Sequence, residues 1–379
     1  MSLKAIFSFN FSFVLAILVL GQPQPSRRLI DDKPSLDTMA KAVQLLYNGK
    51  FDKAEQTAFS IRKKYENHPS FTLFSGVLRY WRYMPVQNST KELEAYRLLL
   101  FRTASLSEDL LKKNDRNPEA IFFNMLAYLM LARLHAETGE YIKAVNDARK
   151  AYVQLKKGME LKEKYPEFYF STGLFHYYRE FYPEAHPIYK SFAFFFESGN
   201  KKQGLAEMEV ASNRSVFCKA EALTFLTYIN LRYEDNIKEA LRISKRLSDA
   251  YPDNKVYKLL RTEALLEGQK YEEAEDLIAE LLTQNSTFLF APAMAFHGIL
   301  HEKHYKKNEL AKGFYLKSLQ LAKPSRKSEE AFSSACYVGL GRIYKAENNM
   351  ERARFYYKKA AESSIEKHKK EAKKFLGQK

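Results

Sequence analysis

From Leu36 to Lys370 apolar residues recur at the three- and four-residue spacing of amphipathic helices, and the stripes come in pairs separated by short polar turns. The second member of several pairs opens on the same signature. Lys50-Phe-Asp-Lys-Ala54, Asn236-Ile-Lys-Glu-Ala240 and Lys270-Tyr-Glu-Glu-Ala274 each place a large apolar residue three positions before an alanine, just after a Gly or polar turn. Ala240 and Ala274 lie 34 positions apart, and the pattern returns in Glu140-Tyr-Ile-Lys-Ala144 and Asn349-Met-Glu-Arg-Ala353. Two antiparallel helices cross closely only where a small side chain lets the backbones approach, and the large residue fills the gap beside the turn. Neither helix buries its stripe alone, so each pair stacks on the next around one elongated core. The pattern predicts eight pairs, at 35–66, 70–114, 118–164, 166–214, 218–250, 254–284, 290–322 and 328–363. A helix over 364–376 follows, with Ile365, Ala372, Phe375 and Leu376 on one stripe and lysines elsewhere, suited to cap the stack.

The last pair carries the fullest signature. Tyr337-x2-Leu340-Gly341-x2-Tyr344, then Ala353-x3-Tyr357 and Ala360, resembles the tetratricopeptide repeat, with Tyr where that family often has Trp. The stretch from Tyr228 to Pro252 is similar to it, through Leu231, Ala240, Leu247 and a helix-stopping Pro252. The resemblance runs from about Leu36 to Lys370, with the pairs near 70–115 and 166–214 degenerate. It implies an all-α fold: a right-handed α-solenoid of about eight antiparallel helix pairs with a C-terminal cap helix, as in exported bacterial tetratricopeptide proteins. Two insertions break the period, Lys323-Pro-Ser-Arg-Lys-Ser-Glu329 and an aromatic stretch over 181–199.

The chain starts differently. Met1 to Gly21 has a basic start at Lys4, an apolar run from Ile6 to Leu20 and small residues near Gly21, the layout of a secretory signal peptide. Its unbroken apolar part, Phe13 to Leu20, is shorter than the roughly 20 residues a spanning helix needs. The expected division is a signal peptide at 1–21, a Pro-rich linker at 22–34 and a solenoid at 35–379. The mature chain is expected in an exported compartment, periplasmic or secreted.

Composition sharpens this picture in two places. Gly 14 and Pro 12 are too few for a turn-rich β protein. The net charge of +16 favours anionic partners, but 61 Lys and Arg are interspersed with 45 acids along nearly every helix, the pattern of a solvated surface. Cys218 and Cys336 match no metal or redox spacing and read as buried free thiols, with a single long-range disulfide as the alternative.

Candidate chemistry is sparse. The stretch from Gly173-Leu-Phe-His-Tyr-Tyr178 through Phe181-Tyr-Pro-Glu-Ala-His-Pro-Ile-Tyr189 and Phe192-Ala-Phe-Phe-Phe196 to Gly204-Leu205 is similar to an excursion found in some bacterial and mitochondrial tetratricopeptide proteins. Tyr177, Tyr178, Phe181, Tyr182, Tyr189, Phe192, Phe194, Phe195 and Phe196 are the candidate partner-binding residues, as a lid over the concave face or a plug within it. His297, His301 and His304 share one helical face and are the only metal candidates, but the H-E-x-x-H pattern of zinc peptidases is absent. No phosphate-binding loop, dinucleotide Gly triad or nucleophile elbow occurs, so no catalytic residue and no cofactor is assigned. The basic tail Lys367-His-Lys-Lys370 with Lys373-Lys374 suits a helix C-terminus or weak contact with an anionic membrane surface.

These observations point to a non-enzymatic protein-protein interaction scaffold that holds a peptide or helix of a protein partner in its concave groove. No specific nucleic-acid recognition is implied. A hydrophobic small-molecule or lipid carrier built on 181–196 is the alternative, and a metal-dependent hydrolase built on the three histidines is the second.

Overall fold

The computed structural model describes residues 28–185, 197–284, 286–322 and 330–378, and among these seventeen α-helices and no strand occur. The first four pairs are α1 (Lys33–Tyr47) with α2 (Phe51–Phe59), α3 (Pro69–Arg82) with α4 (Thr90–Lys113), α5 (Pro118–Glu137) with α6 (Tyr141–Leu161), and α7 (Phe168–Ala185) with α8 (Lys201–Arg214). The next four are α9 (Lys219–Arg232) with α10 (Ile237–Ala250), α11 (Lys255–Glu267) with α12 (Tyr271–Leu282), α13 (Thr287–Lys303) with α14 (Asn308–Leu321), and α15 (Glu330–Ala346) with α16 (Met350–Ala361). The cap α17 (Glu366–Leu376) ends the stack. The chain is thus an all-α solenoid of eight helix pairs and a cap. The signal-peptide assignment lies outside the described residues.

Local chemistry sets the element ends. Asn117, Asn200 and Asn254 accept hydrogen bonds from the first free N–H groups of α5, α8 and α11, at 2.8–3.2 Å. The turn inside a pair carries one residue in the left-handed region: Gly49, Gly139, Asp235, Gln269, Lys306 and Asn348 in pairs 1, 3, 5, 6, 7 and 8. The second and fourth pairs, the ones with degenerate sequence, are built otherwise. In the second, a longer turn passes through a cis peptide at Met84-Pro85. In the fourth, α7 and α8 cross where Gly173 meets Gly204. A Cβ on Gly204 would lie 2.6 Å from the Gly173 carbonyl oxygen, and one on Gly199 would lie 2.6 Å from the His176 carbonyl. The Gly-x-x-x-x-Gly restart of this insertion is therefore a close-packing device.

Ala54, Ala240, Ala274 and Ala353 are fully buried at their crossings, as the repeat requires. Ala144 is only half-buried. α6 instead buries Asp147, Ala151, Leu155 and Gly158, with Phe168 filling the space beside Gly158. The large residue that opens each second helix fills its gap at Phe51, Ile237 and Tyr271. At Tyr141 and Met350 it faces water.

The main departure from a simple linear stack concerns the first pair. The path of the chain turns so tightly that α1 lies against the fifth and sixth pairs. Tyr47 packs edge-on to Tyr251 at 5.5 Å and to Trp81 at 5.3 Å, and Trp81 meets Tyr257 at 5.4 Å. The Asn254 side chain donates to the Tyr47 carbonyl at 2.7 Å, the Asp253 N–H donates to Asn48 Oδ1 at 3.3 Å, and the Tyr47 hydroxyl donates to Glu221. Just before α1, Leu29 is fully buried, and the Ile30 N–H donates to Glu119 Oε1 at 2.7 Å at the start of α5. The inner helices of the first six pairs therefore converge on one another. α5 shows the result in its composition: its first half, from Ile121, Phe122 and Phe123 to Met125, is buried nearly all round, and Leu131 and Leu134 continue the buried stripe.

Candidate functional groove

Among the described residues the molecule's own side chains pack the core between the first four pairs, and an open concave surface lies toward the C-terminus. There α11 and α13 form the floor of a groove of about 380 Å³, α9 one wall, and α15 with the cap α17 the other. The volume lies within the range of ordinary ligand and peptide-side-chain sites. These are the first helices of pairs 5 to 8, whose outward stripe is not needed to hold the stack.

The two ends of the groove differ. Val256 and Leu259 of α11, Phe288 and Pro292 of α13, and Phe332 and Ala335 of α15 make one end apolar. The C-terminal parts of α9, α11, α13 and α15 bring Arg232, Glu263, Glu267, Lys303 and Arg342 to the other end, and the cap α17 adds Lys367, His368 and Glu371. Most of these are matched. Arg232 holds both oxygens of Glu263 at 3.1 and 3.0 Å, and Lys367 of the cap reaches across to Glu267 of α11. Arg342 forks onto Glu302, with Nε at 2.6 Å and Nη2 at 2.9 Å, and its Nη1 meets Glu371 at 3.0 and 3.2 Å. Burial works to raise the Glu302 carboxyl, but the Arg342 fork and the Tyr315 hydroxyl, donating at 2.6 Å, outweigh it and hold the group below the ordinary carboxylate range.

This end is shaped from behind by Tyr315 of α14. Its ring is fully buried between Gly298 of α13 and Gly339 of α15, either of which would collide with it if it carried a Cβ. The ring fixes the spacing of α13 and α15, and its hydroxyl fixes Glu302, which orients Arg342. His368 of the cap accepts from or donates to Ser334 Oγ at 2.5 Å. Burial, then the nearby Lys367, Arg342 and Arg232 charges, push its pKa down to about 3, so it is neutral near pH 7.

The residues singled out in the sequence lie elsewhere. Tyr177 is fully buried and donates to Glu234 Oε1 at 2.6 Å. Tyr178 and Phe181 are partly buried against Tyr233, with Phe181 and Tyr233 4.4 Å apart, and Tyr182 is exposed and stacks on Tyr178. Tyr189, Phe192, Phe194, Phe195 and Phe196 lie outside the described residues. None of the described four lines the groove. His297 and His301 come together with ring centres 4.5 Å apart and share Phe314, while His304 turns away onto Tyr271 at 5.1 Å. Burial and the neighbouring His301 lower the His297 pKa. Among the described residues no three His, Cys, Asp or Glu side chains gather as a metal-binding group, and no helix is long and apolar enough to cross a membrane. Cys218 and Cys336 are buried free thiols, and burial pushes Cys336 up to about 12.

The groove residues escaped the sequence reading because the repeat signature marks buried crossings, whereas the groove lies on the faces left over. One signal was available: within pairs 5 to 8, the first helices carry apolar residues beyond those the crossing needs, as Leu259, Phe288 and Pro292 show.

No family model and no curated protein matches the chain. Among solved structures it is similar to the human IFIT1 dimer with PPP-AAAA, at 16% identity over 87% of this chain and 94% of that one, with a TM-score of 0.33. The human IFIT1 dimer with m7Gppp-AAAA is similar at 15% identity over the same shares with a TM-score of 0.32. A monomeric IFIT1 mutant with Gppp-AAAA is similar at 14% identity over 87% and 95%, with a TM-score of 0.34.

Proposed function

We propose that this chain is a non-enzymatic scaffold of tetratricopeptide type that holds a peptide segment of a protein partner in the groove of its last four helix pairs. It does so in an exported compartment, in keeping with the leader-like pattern of residues 1–21. The observation that carries the reading is the groove: a concave surface about 380 Å³ in volume whose apolar end presents the partly exposed Phe288 and Ala335 beside the buried Pro292. Apolar side chains left at the bottom of a concavity are stabilised when a partner's side chains replace water there. The rigid helix pairs around it lower the ordering cost of binding.

A photo-crosslinking residue placed at Ala335 in cells producing the full chain tests this. Adducts with a polypeptide are expected at that position, not at the outer-face position Phe355, which is 56% exposed. They should vanish when Val256→Trp fills the groove. Adducts equal at both positions, or none at Ala335, would overturn the reading.

A further inference from the structure

One cation at the charged end of the groove has no hydrogen-bond partner among the described residues. Arg232, Arg342 and Lys367 each have a carboxylate partner inside the groove or at its edge. Lys303, at the C-terminus of α13, does not. Among the described residues its only carboxylate within 4 Å is Glu302, 3.9 Å away, and both oxygens of that group are already committed to Arg342 and Tyr315. Lys303 donates no hydrogen bond to any described residue; it lines the groove, and its side chain is 41% exposed. Burial and the Arg342 charge lower its pKa, so the ammonium sits in surroundings that disfavour it. An incoming anion relieves that penalty, and an incoming apolar group makes it worse.

Resting on the groove being the docking site, we propose that the partner segment is an apolar peptide bearing one carboxylate, and that Lys303 is the residue that receives this carboxylate. The apolar part lies toward Phe288, Pro292 and Ala335, and the acid lies toward the C-terminal ends of α13 and α15. The segregation of the groove fixes this polarity: a peptide entering the other way would set its acid on apolar side chains and its apolar residues on Lys303. Lys303 contributes specificity for an acidic residue, while the apolar end contributes most of the affinity.

Random peptides displayed on phage are selected against the immobilised full-length chain, and binders that Val256→Trp abolishes are kept as groove binders. These are expected to share an apolar run flanked by an Asp, a Glu or a free C-terminus. Changing that acid to its amide, or making Lys303→Gln, should each weaken binding at least 10-fold, and the two changes together should cost no more than one alone. Lys303→Glu should lose the selected peptides and recover affinity for versions with Lys in place of the acid. The thermal melting point of each variant is measured alongside, so that misfolding is not read as lost binding. Groove binders without an acidic residue, or with affinities indifferent to Lys303→Gln, overturn this inference and leave the groove reading standing. Binders that Val256→Trp never disturbs overturn both. If dodecanoate, offered as a simple anionic amphiphile, binds in a Lys303-dependent way and no groove-binding peptide emerges, the occupant class is wrong.

Discussion

Glu221 shows how much one side chain contributes where distant parts of a chain meet. It lies in the first turn of α9, where the helix N-terminus favours a negative charge, and it receives the Tyr47 hydroxyl from the other end of the chain. Its second oxygen is buried without a partner. Tyr47, Tyr251 and Tyr257 face it from α1, from the end of α10 and from α11, and Glu167 and Cys218 stand nearby, so no cation offsets its charge. Burial therefore pushes its pKa up to about 7, above the ordinary 4.5, with Glu167 adding to the rise against the Tyr47 hydrogen bond. The folded state holds this proton more tightly than the unfolded chain does. The stability that Glu221 allows is complete below about pH 4.5, is lost as pH rises toward 7, and stays lost above it, at about 1.4 kcal/mol for each unit. Glu221→Gln mimics the protonated form and still accepts from Tyr47. The melting point of the variant should match the wild type near pH 5 and exceed it at pH 8. A constant difference across that range, or a variant less stable at pH 8, would show that Glu221 does not titrate as its surroundings require.

At the scale of the element, the cap helix α17 illustrates what the sequence carries and what it hides. Its stripe was legible: Ala372 is buried, Phe375 stacks on Tyr357 at 4.3 Å, and Gly377 closes the helix in the left-handed region. The basic tail read as one patch, yet Lys367 and His368 face the groove, while Lys369 pairs with Glu366 at 3.7 Å on its own helix. Most of the pairs were legible for the same reason as the cap stripe, since their crossings select a small residue in register with the repeat, as Ala54, Ala240, Ala274 and Ala353 do. The groove was not, because Lys303 and Arg342 obey no interval; their neighbours are set by tertiary packing around Tyr315. The buried His368 makes cap docking sensitive to acid in the direction opposite to Glu221. Its pKa falls from 6.5 to about 3 on folding, so its contribution is present above about pH 6.5 and is lost as pH falls toward 3. Amide hydrogen exchange of residues 366–376, corrected for intrinsic rates, should speed up between pH 7 and pH 5, and His368→Gln should flatten the change. Equal acceleration in both proteins would assign the acid response to some other group.

At the scale of the whole molecule, closure of the first pair onto the fifth and sixth changes how stability is shared. In a linear stack each pair feels only its neighbours, so damage spreads outward from its origin. Here Asn254, at the start of α11, caps its own helix through Oδ1 and holds the Tyr47 carbonyl of α1 through its amide nitrogen. Asn254→Ala removes a helix cap and leaves a buried carbonyl without a donor, costing together about 2 kcal/mol. In a closed arrangement that loss is felt in α1, although more than 200 residues of chain lie between the two. Hydrogen exchange should therefore accelerate in α1 (Lys33–Tyr47) as much as in α10 and α11, while α15 and α16, two pairs along the stack, keep their protection. If acceleration is confined to α10 through α13 and α1 is untouched, the first pair contributes no more than an end repeat. The closure would then not explain why the inner helices of the first four pairs are packed against one another. If α1 responds, the division of labour follows from it. The closed N-terminal part supplies a rigid frame, and α9, α11, α13 and α15 are left to form the open groove.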